Sequence, residues 1–324
     1  MAQRNVEIDI MKGIAILCVM VGHTYWRPDW FATIIYSFHI PIFFLISGYF
    51  AKTREESTLS GGGGIRKNAK QLLIPYAIAG VVSCGYALIR SVHIGDFAIF
   101  THELARYLLA WDKTWPDTIC DLWVAPVWFL LALFWARLFF YYLSYTGKWF
   151  VPLCVVFAVT MTILHPYLPT PFCIGRGIEA LLFMVIGWTY RKYGFPVWSK
   201  AIAIGCWLVS MYLGTIDVCA FQYNCLPVDV VGACGGTLVI FYISKGMAQT
   251  FLKPFFSWCG RNSLIILCTH SIEMGMTIIH VMVNLLPFKI HEVVYFGIKH
   301  GVALLGTWGY EVTKRKIRKY MRFK

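Results

Sequence analysis

The chain has 324 residues, 58% of them hydrophobic and only 14% charged, with a formal net charge of +13. Soluble domains carry roughly a quarter charged residues, and a globule of this size has too little interior to hide so much apolar surface. A soluble fold is excluded. The positive charge lies in short stretches between apolar runs, which argues against a nucleic-acid-binding domain.

Several uncharged runs reach about 18 residues, enough to cross roughly 30 Å of hydrocarbon as helix. They do not alternate as barrel strands would. The sequence therefore predicts an all-α, polytopic membrane protein, one domain over residues 1–324 and a bundle of about ten transmembrane helices. In chain order the first five spans are Ile8–Tyr25, Phe31–Phe50, Leu72–Arg90, Ala125–Leu143 and Trp149–Leu164. The second five are Ile178–Tyr190, Ala201–Ile216, Val228–Ser244, Ser263–Leu286 and Val293–Val312. The segment Met1 to Lys12 contains Glu7 and Asp9 and leads into an apolar run with no small-residue cleavage site, so it reads as a retained signal-anchor helix. Prolines fall mainly between spans; Pro41, inside the second, is the exception.

Twenty-one of the 29 Lys and Arg fall on the side of the N-terminus, six on the other and two, Arg137 and Lys299, within spans. The positive-inside rule then places both termini in the cytoplasm, and the basic tail from Lys314 against anionic inner-leaflet lipid. The longest outer segment, Ser91 to Val124, mixes Trp111, Trp115 and Trp123 with Asp96, Asp112, Asp117 and Asp121. Aromatic faces and carboxylates suit sugar recognition, and equally an interfacial aromatic belt. Gly61–Gly64 lacks a phosphate-loop pattern and reads as flexible linker. Cys219 and Cys225 share one outer loop and could pair; the remaining cysteines are mostly small hydrophobes of the spans.

An ionisable side chain inside a span is costly and is a functional candidate by default. His23 lies 15 residues after Ile8, roughly 22 Å along the first helix, and His39 eight residues into the descending second span. The two arrive at similar depth. His270 enters from the inner side and lies somewhat below the middle. Histidine takes and returns a proton near neutral pH, although a packed helix-contact role accounts for any single one. No Gly-x-Ser-x-Gly pattern accompanies Ser47, and no His or Cys pair has zinc-type spacing, so no metal site is expected. A transporter or flippase for a polar solute would also use intramembrane histidines.

The segment Arg4-Asn5-Val6-Glu7-Ile8-Asp9-Ile10-Met11-Lys12-Gly13, followed by Val21-Gly22-His23, resembles the acyltransferase-3 family, especially its fucose 4-O-acetylase-like branch. That family pairs a basic residue with a histidine eleven positions later, as Lys12 and His23 do; Arg is commoner than Lys at the first position. Ser37-Phe38-His39-Ile40-Pro41-Ile42-Phe43-Phe44 resembles the family's second helix. Arg66-Lys67-Asn68-Ala69-Lys70-Gln71-Leu72-Leu73-Ile74-Pro75-Tyr76 is similar to its basic loop entering helix three. Trp128-Phe129-Leu130-Leu131 and Cys259-Gly260-Arg261-Asn262-Ser263-Leu264, leading to His270, are weaker echoes.

The resemblance implies a bacterial cell-membrane enzyme that moves an acyl group, usually acetyl, from acyl-coenzyme A to a hydroxyl of a sugar or cell-surface glycan. Acyl-coenzyme A would be a co-substrate, with no permanently bound cofactor. Lys12, Arg66, Lys67 and Lys70 would hold the anionic donor. His23 would deprotonate the acceptor or itself carry the acyl group, and His39 would orient or share the proton. Asp9 and His270 are further candidates.

Overall fold

The computed structural model describes residues 5–23, 28–56, 61–112, 122, 124, 126–165, 167–218, 221–275 and 291–322. These residues are helical throughout apart from loops and one isolated antiparallel bridge between Asp217 and Gln222. The first helices are α1 (Val6–Gly22), α2 (Asp29–Tyr36), α3 (Pro41–Phe50), α4 (Gly61–Ile94), α5 (Ala98–Leu109), α6 (Trp128–Leu143) and α7 (Phe150–Leu164). They are followed by α8 (Ile174–Glu179), α9 (Leu181–Tyr193), α10 (Val197–Leu213), α11 (Leu226–Met247), α12 (Lys253–Arg261), α13 (Ser263–Gly275) and α14 (His291–Arg322).

Among the described residues, four helical stretches are long and apolar enough to cross a membrane: Asp29–Phe50, Gly63–Ile94, Trp128–Leu164 and Leu226–Met247. The pair Pro171–Glu179 and Leu181–Tyr193, bent by 41°, makes a fifth if it is one span. The outside is apolar where hydrocarbon would be the solvent: Val81 and Ile89 of α4 are 74% and 71% exposed. No water-soluble protein could leave such a surface open.

The sequence explains the local breaks. Pro41 interrupts no helix, because α2 and α3 are separated by a turn at residues 37–40 and Pro41 sits in the first turn of α3. There its missing N–H is one that a helix start leaves unpaired anyway. The fourth and fifth predicted spans meet at Gly147, whose φ of +57° turns the chain between α6 and α7. Only a residue without Cβ takes that conformation cheaply. At the start of α11, the buried Asp229 accepts N–H groups of Asn224 (2.7 Å) and Cys225 (2.8 Å) and the Ser210 hydroxyl, tying α11 to α10.

Three expectations change. The Gly61–Gly64 run is the first turn of α4 and not a linker, and the basic segment from Arg66 to Lys70 continues that helix. Lys, Gln and Leu are good helix formers, so the third span extends as helix beyond its apolar stretch. The outer segment contains the helix α5, packed on α4. Asp112, read as a possible sugar contact, is fully buried. Trp115, Asp117, Asp121 and Trp123 lie outside the described residues, as does Cys219 of the suggested disulfide.

Aromatic and aliphatic side chains of α3, α6 and α9 fill the centre, with Phe44, Phe140 and Phe183 fully buried. Phe44 and Phe129 pack at a tilt with ring centroids 5.0 Å apart. Helices α3 and α9 cross so closely that a Cβ on Gly48 would enter the Met184 backbone, and one on Gly187 the Leu45 carbonyl. Small residues at such crossings are how membrane helices gain packing without a hydrophobic driving force between them. The same device joins α1 to α12 at Gly13 and Gly260.

Candidate active site

Helix α1 carries the first site residues. Asn5 caps it by accepting the Ile8 N–H at 3.0 Å, and Glu7 and Asp9 face the positive end of the helix dipole. Asp9 is buried and pairs with the Lys12 ammonium at 3.4 Å. Eleven residues on, roughly 16 Å along the axis at 1.5 Å per residue, His23 closes the helix, its N–H donating to the Met20 carbonyl at 3.3 Å.

His39 sits in the turn between α2 and α3, and is buried. Its Nδ1 lies 2.8 Å from the Ile35 carbonyl. A carbonyl only accepts, so Nδ1 carries the proton and Nε2 is the basic nitrogen of the neutral ring. Tyr36 stands edge-on to His39, with ring centroids 5.0 Å apart, and donates from its hydroxyl to the Gly22 carbonyl at 3.2 Å. That phenol links the two histidine-bearing segments. Trp207 of α10 holds the same turn by donating to the Ser37 hydroxyl at 2.7 Å.

His270 also reaches this place. Its ring centroid lies 5.7 Å from that of His23 and 5.7 Å from that of His300 on α14. Helix α12 crosses α1 near Asp9 and Gly13, and α13, which follows it, brings His270 against His23. Fully buried His270 donates from Nδ1 to Glu273 Oε2 at 3.0 Å. Among the described residues, no group of three or more His, Cys, Asp or Glu side chains is arranged to hold a metal ion.

His23 and His39 line a cavity of about 560 Å³. It runs along α6 from Pro126 and Trp128 past Arg137 to Tyr141, roughly 20 Å of helix. At the Tyr141 end the wall includes Lys12, Lys52, Lys67, Asn68 and Gln71; at the other end it includes Asp217 and Val218. Arg137 donates from Nε to the Ser47 hydroxyl at 2.9 Å, and from one terminal nitrogen to Asn68 Oδ1 and Gln71 Oε1, each at 3.3 Å. All three partners are neutral, and among the described residues no carboxylate forms an ion pair with Arg137. An uncompensated cation within a cavity wall attracts anions strongly, because little solvent screens it.

The structure thus brings together Lys12, Lys67, His23 and His39, with His270 against His23. Arg66 and Lys70 are exposed and off the cavity wall. Sequence reasoning counted Arg137 as an intramembrane charge without assigning it a role. It did not reach Lys52, Tyr36, Glu273, His300 or Asp217. Arg137 was the legible one, since a lone Arg in an apolar run is itself a functional signal.

A second polar cluster lies beyond the Trp128 end. Asp112 accepts the Thr170 N–H at 2.7 Å and the Thr170 hydroxyl, and stands 3.6 Å from His165 Nε2, whose ring stacks on Phe221. Arg176 donates to the Asp112 carbonyl and covers the Trp128 ring at 4.6 Å. Tyr223 donates to Glu179; burial, and then the Glu179 charge, push its phenol well above the ordinary range. Asp112 thus ties Thr170 and Arg176 together at the cavity end.

Residues 5–311 match the family model described as an acyltransferase domain, Acyl_transf_3. The chain is 30% identical over 189 residues to a nodulation protein NolL of Sinorhizobium fredii, covering 53% of this chain and 48% of that protein. It is 34% identical over 86 residues to a nodulation protein NolL of Mesorhizobium japonicum, covering 22% of each. The chain thus matches at most about half the length of these curated relatives. No solved structure matches. With its matched domain spanning nearly all the residues that build the histidine-lined cavity, the chain belongs to the acyltransferase-3 family of membrane acyltransferases.

Proposed function

We propose that this protein moves an acyl group, most simply acetyl, from acyl-coenzyme A to a hydroxyl of a sugar or cell-surface glycan. The observation that carries the reading is Arg137, uncompensated in the wall of a cavity that continues to His23 and His39. Coenzyme A is an anion with a long, thin arm ending in the thioester. Its phosphates would sit at Lys12, Lys52, Lys67 and Arg137, and the arm would thread towards the histidines. The acceptor would enter from the Asp217 end, where Trp128 and a carboxylate offer an apolar face and a hydroxyl acceptor.

In the transfer, the hydroxyl oxygen attacks the thioester carbonyl as its proton passes to His23. The carbon–sulfur bond breaks, and the same proton returns to the leaving thiolate. Alternatively His23 takes the acyl group first and releases it to the hydroxyl; either route conserves the proton. His39, its tautomer fixed by Ile35, would share or orient that proton. The full bundle would have ten spans in a bacterial cell membrane, with both termini cytoplasmic and the basic mouth facing the cytoplasmic donor pool.

The test is release of the free thiol from acetyl-coenzyme A by purified protein in lipid nanodiscs, with a panel of hexoses and deoxyhexosides as acceptors. Thiol release and acetylated sugar above the level of a His23→Ala control are expected. Neither product with any acceptor would overturn the reading.

A further inference from the structure

The basic end of the cavity is rimmed by tyrosines as well as by cations. Arg137, Tyr141 and Tyr145 recur every four residues along α6 and the 3₁₀ turn Ser144–Trp149 that continues it, so they succeed one another along one side. Arg137 and Tyr141 line the cavity. The Tyr141 hydroxyl lies 3.1 Å from that of Tyr145, and the two rings meet edge to face with centroids 5.5 Å apart. Over the Tyr145 ring, 4.3 Å from its centroid, lies the Arg54 guanidinium. Arg54 also donates its backbone N–H to the Ser144 hydroxyl at 3.0 Å, and that hydroxyl donates to the Tyr141 carbonyl at 2.6 Å. The segment after α3, which carries Lys52 of the cavity wall, is thereby pinned to the tyrosine rim.

Tyrosines gather at membrane interfaces with their rings among lipid headgroups. Tyr142, 53% exposed and off the cavity wall, fits that role; Tyr141 lines the cavity beside Lys52 and Lys67 instead. Among the described residues no carboxylate forms an ion pair with Lys52, Arg54 or Lys67. An aromatic ring flanked by such cations matches a nucleotide on both counts. A base stacks on the ring whatever its edge, and phosphates take the charges.

We infer that Tyr141 is the platform on which the adenine of the donor stacks, with Tyr145 positioning its ring and Lys52 and Arg54 taking the phosphate on the ribose. The inference rests on the proposed coenzyme A donor. Adenine is the end of coenzyme A farthest from the thioester, and Tyr141 stands at the end of the cavity away from the reacting histidine. Lys12 lines that same end and precedes His23 by roughly 16 Å of α1. The site makes the protein a reader of the nucleotide. A thioester on coenzyme A engages the platform, whereas one on a bare phosphopantetheine arm, as a carrier protein would present it, reaches only the cations. No bond is made or broken there; the rim selects which donor is held.

The deciding experiment uses full-length protein in nanodiscs and a probe that needs no acyl transfer: adenosine 3′,5′-bisphosphate, the adenosine end of coenzyme A without its arm. Tyr141→Leu removes the aromatic face and keeps an apolar side chain. It should raise the probe's dissociation constant about tenfold or more, the scale of losing one stacked base. Its affinity for acetyl-4′-phosphopantetheine should stay unchanged, and Tyr141→Phe should bind the probe nearly as the unaltered protein does. The 1,N6-ethenoadenine form of the probe reports stacking directly, since a ring against its base quenches its fluorescence. Quenching is expected in the unaltered protein, so the measurement stands even where Tyr141→Leu does not fold. A probe that does not bind the unaltered protein, or binds unquenched, overturns the site. Unchanged probe affinity in folded Tyr141→Leu does so too, as does an equal loss for the probe and for acetyl-4′-phosphopantetheine. Probe binding that is lost in Tyr141→Leu, without transfer from acetyl-coenzyme A, overturns the proposed reaction and leaves the nucleotide site standing.

Discussion

Arg137 on α6 donates from Nε to the hydroxyl of Ser47 on α3, 2.9 Å away, although 90 residues separate the two in sequence. Both are single polar groups in otherwise apolar helices, and each removes the other's exposure to hydrocarbon. The bond also aims the guanidinium into the cavity, where its charge remains available to a ligand.

Replacing Arg137 with Gln should therefore weaken the donor more than it weakens the fold. Gln retains hydrogen bonding to Ser47 but carries no charge. The dissociation constant for acetyl-coenzyme A should rise tenfold or more, about 1.4 kcal/mol for each factor of ten. Arg137→Lys should recover only part, because a point charge lacks the planar fork. Titration calorimetry would measure both. On the same scale Lys67→Ala should raise the constant a few-fold, an exposed contact being worth about 1 kcal/mol at most. Arg66→Ala and Lys70→Ala, off the cavity wall, should do less than Lys67→Ala.

His23→Ala should abolish transfer while the protein remains folded and donor-competent. A sugar hydroxyl is a poor nucleophile at neutral pH, and loss of a positioned base costs about 10²–10⁴-fold. If His23 carries the acyl group, labelled donor alone should leave label on that residue in the unaltered protein. His39→Ala should cost less than His23→Ala, since water can partly replace an orienting partner. Full specific activity in folded His23→Ala would remove this histidine from the reaction.

Gly260→Ala should destabilise the bundle. Its added methyl would meet the Asp9 carbonyl of α1, and α12 could relieve the clash only by moving off α1. Overpacking of this kind typically costs about 1–3 kcal/mol. Gly246→Ala, where a Cβ meets nothing within 4 Å, is the matched control and should be neutral or stabilising. Thermal unfolding of the two variants in one detergent would separate them.

The segment after α3 should loosen in acid. Glu56 accepts from Arg191 at 2.6 Å and from the Thr53 N–H at 3.1 Å. Burial alone would raise its carboxyl, but these hydrogen bonds and the Arg191 charge hold it below the ordinary range. A carboxylate depressed in the folded state contributes stability above its unfolded pKa, and loses it as pH falls through the folded value. The stability difference between the unaltered protein and Glu56→Gln should be present at neutral pH and vanish below the ordinary glutamate range. Because Glu56 is partly exposed, the difference should be modest and reduced by salt. A difference independent of pH would assign the effect to packing.

The sequence by itself determined the solvent, the helical class and the two N-terminal histidines. Those are properties of composition and local spacing: apolar runs need lipid, and His23 and His39 stand out because each interrupts such a run. The eleven-residue step from Lys12 to His23 is likewise local, since one helix fixes its length. Only the tertiary structure decided what meets those histidines. The approach of His270 to His23 depends on α12 crossing α1 at Gly13 and Gly260, and nothing in the spacing of residues 23 and 270 encodes it. Tyr36, Glu273, Asp217 and Lys52 look ordinary in sequence because their roles come from the faces their helices present. Arg137 and Lys67 face the cavity while Arg66 and Lys70 point away, a distinction set by where α4 packs against α6. Charge counted along the chain leads only to an expected sidedness, whereas the direction in which each side chain points is fixed by helix packing.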